Sequence, residues 1–382
     1  MATFWQRLRV DCDAHPVEPR RRVALNAGVV ADVCSMWRDG GDIVFGIRDE
    51  ESVAVEVRGL AGVDLDAARL RLDQLIEARI QPRLPSVEFT TVEHPNGPVL
   101  VLRIARSWQG PHAVRLNEGF RFPIRGTSAR KRYLDFEEIR SEFAGGEELR
   151  ERVRAFRDRR VAAILTDDAP VPVRAGPKMV THFVPVSAWL ERREIDTRRM
   201  YHHDAFRPAP RGTGSVRGNQ EIPNLEGFIT VDQPRDAEGA DSYLQSFRDG
   251  AFEWLTARVF REEETFGRHP GRIIPGIWFE GELIHGVTDV IELLRHVEVA
   301  PPIVVLSTLV EVRGWMIYTE RGFADERGGP RLSRDVMRLP DLVVDDFDAD
   351  LPRVLRPLID TFWQAGGKHR SPHYDEEGNW GG

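Results

Sequence analysis

Short apolar segments separated by glycine and proline restrict the fold of this chain more than any other feature. Residues 24–37 carry apolar side chains at helical spacing, and Gly40 and Gly41 then stop the helix and turn the chain. Residues 42–47 follow as a short run rich in β-branched residues, which is typical of a buried strand. A helix followed so closely by a strand predicts a module of mixed α and β structure.

Helix-like and strand-like segments continue to alternate to about residue 146. Apolar spacing predicts helices at 64–80 and 135–143, and Gly145 and Gly146 are expected to end the second one. Strand-like runs occupy residues 52–57, 87–92, 98–105 and 119–124. The first of these is expected to pair with the strand at 42–47, and the second and third are expected to form a hairpin.

A chain of 382 residues is long enough for two or three domains. We predict an N-terminal domain at 1–146, an arginine-rich linker helix at 147–165 and a C-terminal α+β domain at 166–365. Within the C-terminal domain, strands are predicted at 178–185, 225–231, 276–279, 303–312 and 314–319, and helices at 243–260, 288–297 and 351–365. The glycine-rich, polar tail at 366–382 is predicted to be disordered.

The net charge of −8, from 53 basic and 61 acidic residues, argues at first against nucleic-acid binding, since phosphate contacts need positive charge. The acidity is uneven, however. Residues 1–160 carry 27 basic and 25 acidic side chains, whereas residues 161–382 carry 26 and 36. Only three of the basic residues are lysine, and this arginine excess favours a GC-rich source.

Neither a membrane span nor a secretory signal is expected. No apolar run approaches the roughly 18 residues that a spanning helix needs, and acids appear early in the N-terminal segment. The two cysteines, Cys12 and Cys34, are too few for a disulfide framework or a cysteine zinc site. A cytoplasmic protein is therefore expected.

A basic segment stands out within this acidic chain. Residues 103–132 hold eight basic side chains and the single acid Glu118. Arg125 is followed by glycine, Thr127 and serine, which together offer a guanidinium, backbone N–H groups and hydroxyls to a phosphate. The alternative is a solvated basic face whose charges pair with acids elsewhere in the chain.

Three acids could form a metal site. A metal-dependent nuclease needs two or three carboxylates around a hard divalent ion such as Mg²⁺ or Mn²⁺. Asp13 and Glu18 lie five residues apart, and Asp49 follows the predicted buried strand. Spacing alone does not separate such a trio from an ordinary charged N-terminus. The sequence contains no phosphate-binding Walker loop, so ATP binding has little support.

The order of motifs in the N-terminal module resembles the Schlafen AlbA_2 domain, a nucleic-acid-binding module. The motifs that carry this resemblance cover about residues 10–145. They are the acidic stretch at 13–20, Gly40-Gly41 with the strand at 43–49, Ile80-Gln81-Pro82, the loop at 107–112, the arginine-glycine step at 122–127 and the closing helix at 136–143.

The resemblance implies two kinds of site. In family members with endoribonuclease activity on tRNA or rRNA, acids at the motif positions bind the metal, and here these would be Asp13, Glu18 and Asp49. Candidate phosphate-binding residues are His112, Arg115, Arg121, Arg125, Thr127, Arg130, Lys131 and Arg132. The domain is therefore expected to bind RNA or DNA, with cleavage of structured RNA in stress or phage defence as the sharper expectation.

Several positions depart from the family pattern. The first acid is the shorter Asp13, Pro19 interrupts the acidic motif, and Trp37 replaces the usual asparagine at the end of the helix. A misplaced metal would abolish catalysis. The alternative is a non-catalytic regulator whose C-terminal domain binds a protein partner or itself. That domain begins with a strand resembling one in bacterial AlbA_2 proteins, and this resemblance implies a bacterial source. His182 within the strand is expected to be a core residue.

Overall fold

A computed structural model describes residues 8–10, 27–50, 53–84, 87–107, 109–116, 119–125, 131–191, 194–200, 220–232, 238–266, 269–318 and 330–381. The chain forms two compact units, Met1–Glu151 and Arg152–Gly382. Both units contain helices and sheets, which confirms the predicted α+β class. Among the described helices, none combines the length and the apolar character needed to cross a membrane.

Within its described residues, the N-terminal unit contains two complete helices and eleven short strands. The helices are α1 (Ala27–Cys34) and α2 (Leu65–Arg79). The strands are β1 (Leu8–Val10), β2 (Gly41–Phe45), β3 (Ile47–Glu50), β4 (Val53–Val57), β5 (Ile80–Gln81), β6 (Val87–Val92), β7 (Val99–Ile104), β8 (Ala113–Leu116), β9 (Gly119–Arg121), β10 (Pro123–Arg125) and β11 (Lys131–Tyr133).

The largest sheet of this unit has the strand order β1-β2-β7-β6, with only the β1–β2 pair parallel. The predicted hairpin is confirmed as β6 and β7. Helix α2 begins where Asp64 accepts a hydrogen bond from the backbone N–H of Ala67, and it packs Leu72 and Ile76 against the core. The core is completed by α1 and by the inner faces of β2 and β7.

One predicted pairing is wrong in detail. The strand β4 pairs with β3 rather than with β2, because the run at 42–47 is broken at Gly46. Gly46 has a φ of 102°, and a Cβ there would lie 3.2 Å from Leu60. Glycine adopts this left-handed backbone readily, and it redirects the chain from one sheet into the other.

The expected break at Gly145 and Gly146 is absent. A single helix α3 (Phe136–Leu165) runs through both glycines, and the division between the two units falls inside it. Each glycine disfavours a helix by about 1 kcal/mol relative to alanine. The neighbouring turns bury Leu149 and Val153, and such packing overrides the local preference.

The C-terminal unit contains the end of α3 and three further helices, α4 (Val186–Glu191), α5 (Gly276–His296) and α6 (Leu351–Ala365), with a short 3-10 helix at Thr197–Met200. Its strands are β12 (Lys178–Pro185), β13 (Gln220–Pro223), β14 (Gly227–Asp232), β15 (Ser242–Phe247), β16 (Phe252–Thr256), β17 (Arg261–Phe266), β18 (His269–Pro275), β19 (Ile303–Val310), β20 (Met316–Tyr318), β21 (Met337–Arg338) and β22 (Leu342–Val344).

An eight-stranded antiparallel sheet forms the centre of this unit. Its strand order is β13-β14-β15-β16-β12-β19-β21, and β22 also pairs with β19. Val161 and Ile164 of α3 pack on one face of the sheet, and α5 and α6 pack on the other. The central strands are therefore buried on both sides, as the burial of every residue in β12 and β19 shows.

Two predicted elements of this unit have the wrong type. The helix predicted at 243–260 is the hairpin β15–β16, which turns at Gly250 with a φ of 83°. The strand predicted at 276–279 is the first turn of α5. Apolar runs that are buried on all sides lack the alternation that separates a strand from a helix, so periodicity misassigned both.

The predicted disorder of the tail is also contradicted. Residues 366–381 are ordered and contact α5, where polar groups of the tail form hydrogen bonds with the buried side chain of Glu280. Ser371 Oγ donates to it at 2.6 Å and Trp380 Nε1 at 2.6 Å, and His373 Nδ1 lies 3.0 Å away. Trp363 Nε1 of α6 donates at 2.5 Å. This set of contacts satisfies a buried charge that would otherwise be unfavourable.

Candidate nucleic-acid interface

A small hairpin at a sheet edge carries the exposed part of the basic segment. Strands β8 and β9 are antiparallel neighbours in the three-stranded sheet β5-β8-β9, with β9 at its edge. Arg115 on β8 lies directly opposite Phe120 on β9, and both side chains are exposed. Arg121 follows on β9 opposite Val114, so its side chain, which is also exposed, lies on the other face of the hairpin from Arg115 and Phe120.

The alternation of β8 explains why Arg115 points outward. Val114 is fully buried and lies opposite Ile80 of β5, in the core beneath α1 and α2. Because successive side chains of a strand point to opposite faces, burial of Val114 places Arg115 on the outer face. Among the described residues, neither Arg115 nor Arg121 has an acidic partner.

Two other predicted phosphate ligands are tied to an acid on α1. Arg125 Nη2 lies 3.5 Å and Lys131 Nζ 3.0 Å from Oδ1 of Asp32, a buried residue. Arg125 Nε also donates to Ser35 Oγ at 3.1 Å. The side chains of Arg125 and Lys131 are only 13% and 22% exposed. These contacts fasten the β10–β11 hairpin to α1, so both cations contribute to the structure of the unit.

Arg132 is exposed but is matched by a nearby acid. Its guanidinium donates to both oxygens of Glu138 at 2.7 Å. This bidentate hydrogen bond, with a further one from the backbone N–H of Asp135, lowers the pKa of Glu138 to about 2. Glu138 N–H in turn donates to Asp135 Oδ1, which completes a capping box at the start of α3.

His112 is not available to a phosphate. Its side chain is fully buried, with Nε2 at 2.6 Å from Ser107 Oγ and Nδ1 at 2.7 Å from the carbonyl oxygen of Pro82. Burial lowers its pKa, which favours the neutral ring. His112 therefore joins Ser107 to Pro82, the residue after β5, and the expected phosphate contact is replaced by a structural role.

Four predicted site residues, Asp13, Glu18, Thr127 and Arg130, lie outside the described residues. Asp49 lies on β3, in register with Ala54 of β4. Within the described part of the chain, no group of three or more histidine, cysteine, aspartate or glutamate residues could hold a metal ion.

Exposed aromatic side chains are the feature that sequence reasoning missed. Phe120 is 48% exposed and Tyr133, on β11, is 45% exposed. Both lie beside basic residues in the sequence, Phe120 before Arg121 and Tyr133 after Arg132. This interleaving of aromatic and basic residues was the available signal.

A comparison with models of known protein families finds a match within the N-terminal unit. Residues 15–133 match the family model described as Schlafen, AlbA_2. The N-terminal unit carries a Schlafen AlbA_2 domain. A match to this family over residues 15–133 suggests nucleic-acid binding by this domain. The matched residues of the AlbA_2 domain include the whole β8–β9 hairpin and end at Tyr133.

No curated protein matches the chain. Among solved structures, a crystal structure of the DIP2311 protein from Corynebacterium diphtheriae aligns with a TM-score of 0.25 and 17% sequence identity. The alignment covers 34% of this chain and 22% of that one.

Proposed function

We propose that the AlbA_2 domain binds nucleic acid through the β8–β9 hairpin, with Arg115 and Arg121 contacting backbone phosphates. One observation supports this assignment above the others. Of the predicted phosphate-binding residues that the structure describes, these two are exposed and pair with no acid among the described residues. An arginine that has no internal ion pair can meet a phosphate without first losing a protein contact.

The charges around the hairpin fit such a role. The paired cations Arg125, Lys131 and Arg132 hold the neighbouring strands and the start of α3 in place. Asp32 and Glu138 offset the charge of these three cations, so the attraction of a polyanion to the hairpin is assigned to Arg115 and Arg121.

The test is the salt dependence of binding, measured by fluorescence anisotropy with labelled RNA and DNA oligonucleotides. Removing two phosphate contacts in an Arg115→Ala/Arg121→Ala variant should lower the slope of log K against log salt by about 1.5. At low salt the affinity should fall about 10-fold or more across sequences.

A matched control removes the same charge elsewhere in the domain. Arg71 is exposed on α2, and Arg83 is exposed beyond it in an ion pair with Glu77. An Arg71→Ala/Arg83→Ala variant should keep the wild-type slope. Wild-type protein without salt-sensitive binding, or equal losses in the two variants, would refute the proposal.

The catalytic form of this proposal assigns Asp13, Glu18 and Asp49 to a Mg²⁺ or Mn²⁺ ion and makes the domain an endoribonuclease that acts on structured RNA such as tRNA. A bound divalent ion would polarise the phosphate and activate water. Purified protein should then cleave tRNA only with the metal, and Asp49→Ala should abolish cleavage while binding persists.

Binding without cleavage would favour a regulator instead. In that form the C-terminal unit contacts a protein partner or a second copy of the chain. Light scattering of the full chain, with and without RNA, measures self-association directly. If the protein is monomeric under both conditions, self-association is excluded, and contact with a different protein is the remaining role for the C-terminal unit.

A further inference from the structure

We propose that this domain takes its nucleic acid as a single strand, whose bases stack on Phe120 and Tyr133 while Arg115, beside Phe120, contacts the phosphates. The inference deepens the proposed function and rests on it. It adds the class of ligand, unpaired nucleotides of RNA or DNA, and two further contact residues, Phe120 and Tyr133.

The exposed aromatic residues of the N-terminal unit are concentrated in one stretch. Among its described residues, the large exposed rings are Phe120, Tyr133, Phe136 and Phe143, all within residues 120–143. Other rings of the unit, such as those of Trp37 and Phe45, are buried. The apolar surface of an exposed aromatic ring is in contact with water, and a base stacked on the ring would bury that surface, which is favourable.

Phe120 and Arg115 form the centre of the site. Residues directly opposite in an antiparallel pair have Cβ atoms about 4.5–5.5 Å apart on the same face. The ring of Phe120 and the guanidinium of Arg115 are therefore presented side by side. Within the described residues, Phe120 packs against no other ring and Arg115 pairs with no acid. The position of β9 at the edge of its sheet leaves its outer side open.

Tyr133 lies within reach of the same strand of nucleic acid. It is in register with Pro123, which is three residues after Phe120 along the chain. Three residues span at most about 11 Å, and a cross-strand pair adds about 5 Å. The two ring-bearing residues are thus at most about 16 Å apart, a separation that a few nucleotides can bridge.

A single strand fits this surface better than a duplex. Paired bases are stacked inside the double helix, so their faces cannot reach a ring on the surface of a hairpin. Unpaired bases expose their faces, and combined aromatic and basic surfaces bind them with little dependence on sequence. A ring without an adjacent unpaired cation would instead favour a protein partner, and Phe120 lies beside Arg115, which pairs with no acid among the described residues.

The experiment compares a 12-nucleotide single strand with the corresponding duplex, each as RNA and as DNA, using the full chain. The wild type should bind the single strand at least 10-fold more tightly than the duplex. A Phe120→Leu/Tyr133→Leu variant should lose about 10-fold or more in single-strand affinity, keep its duplex affinity within about 2-fold, and keep its salt slope.

Leucine preserves apolar character, and both positions are exposed, so the variant should fold normally by circular dichroism. The control is Trp278→Leu, which removes a 41% exposed ring from the C-terminal unit. It should bind like the wild type.

The outcomes separate the two proposals. If the leucine double variant binds the single strand like the wild type while Arg115→Ala/Arg121→Ala loses binding, the stacking inference is wrong and the proposed function stands. Equal losses for single strand and duplex also overturn stacking. Absence of salt-sensitive binding by the wild type to every oligonucleotide overturns both.

Discussion

One buried carboxyl group should make the stability of the C-terminal unit depend on pH. Glu282 on α5 is 9% exposed, and among the described residues its buried Oε2 atom has no hydrogen-bond partner. Burial raises its pKa from the ordinary value of 4.5 to about 7, against the opposing charge of Arg258 and with a smaller contribution from Asp289.

The sign follows from proton linkage. Between pH 4.5 and 7 the unfolded chain releases a proton that folded Glu282 retains. The free energy of unfolding therefore falls as pH rises through this window. A difference of about 2.5 pKa units corresponds to roughly 3 kcal/mol in the free energy of unfolding. The loss relative to low pH is only about 1 kcal/mol at pH 5, and it is nearly complete at pH 8.

The assay is differential scanning calorimetry of the full chain carrying Glu282→Gln. The neutral amide cannot ionise, so the variant does not lose stability as the pH rises. Its free energy of unfolding should therefore increase by about 2–3 kcal/mol relative to that of the wild type between pH 5 and pH 8. For a unit of this size that is a relative rise in Tm of about 5–10 °C. Comparing the difference in stability between variant and wild type at the two pH values cancels any effect of the amide that does not depend on pH.

The matched control is Glu292→Gln, at an exposed position on the same helix. It should show the pH dependence of the wild type. A Glu282→Gln difference that is the same at pH 5 and pH 8 would refute the assignment of a raised pKa to this buried carboxyl group.

Three further changes in the C-terminal unit have defined expectations, each measured by urea unfolding followed by tryptophan fluorescence. Glu253→Gln weakens the buried bidentate pair with Arg160, whose two bonds are both 2.8 Å long, and should lower the free energy of unfolding by about 3–5 kcal/mol. Gly286→Ala places a methyl group into the ring of fully buried Trp254 and should lower it by about 1–3 kcal/mol. Deleting residues 371–382 removes donors to the buried carboxylate of α5 and should lower it by at least about 1–3 kcal/mol.

Each of these three has a clear contrary result. Wild-type stability in Glu253→Gln would mean that the ion pair adds nothing over a neutral contact. A neutral Gly286→Ala would mean that the ring of Trp254 moves aside without loss of packing. An unchanged unfolding midpoint after the deletion would mean that the tail does not stabilise the unit.

Elements with a clear period could be predicted from the sequence. Helices α2 and α6 and the hairpin β6–β7 are confirmed within a residue or two of their expected bounds. Their partly exposed faces leave a readable alternation of apolar and polar residues. The β15–β16 hairpin is buried along its whole length, so its sequence lacks that alternation.

The site could be predicted only in part, because charge pairing depends on tertiary contacts. Arg115 was a candidate from local sequence, and the structure shows that it is exposed, while its binding role stays a prediction. Lys131 was identified by the same reasoning, but its partner Asp32 lies about 100 residues away and is revealed only by the fold. The pair Arg132–Glu138 is local, and the capping pattern at the start of α3 was its sequence signal.

The tail shows the same limit. Its composition is that of a disordered segment, since glycine and polar residues dominate. Its fold depends on Glu280, about 90 residues earlier, whose buried carboxylate requires the donors that Ser371 and Trp380 supply. Local composition does not report such a distant requirement.

The most direct test of the binding site is ultraviolet cross-linking of the full chain to a short single-stranded RNA, followed by mass spectrometry of the linked peptides. The account predicts links within residues 113–133, with Phe120 and Tyr133 as the linked residues, and loss of these links in high salt. Links confined to residues 152–382 would contradict it.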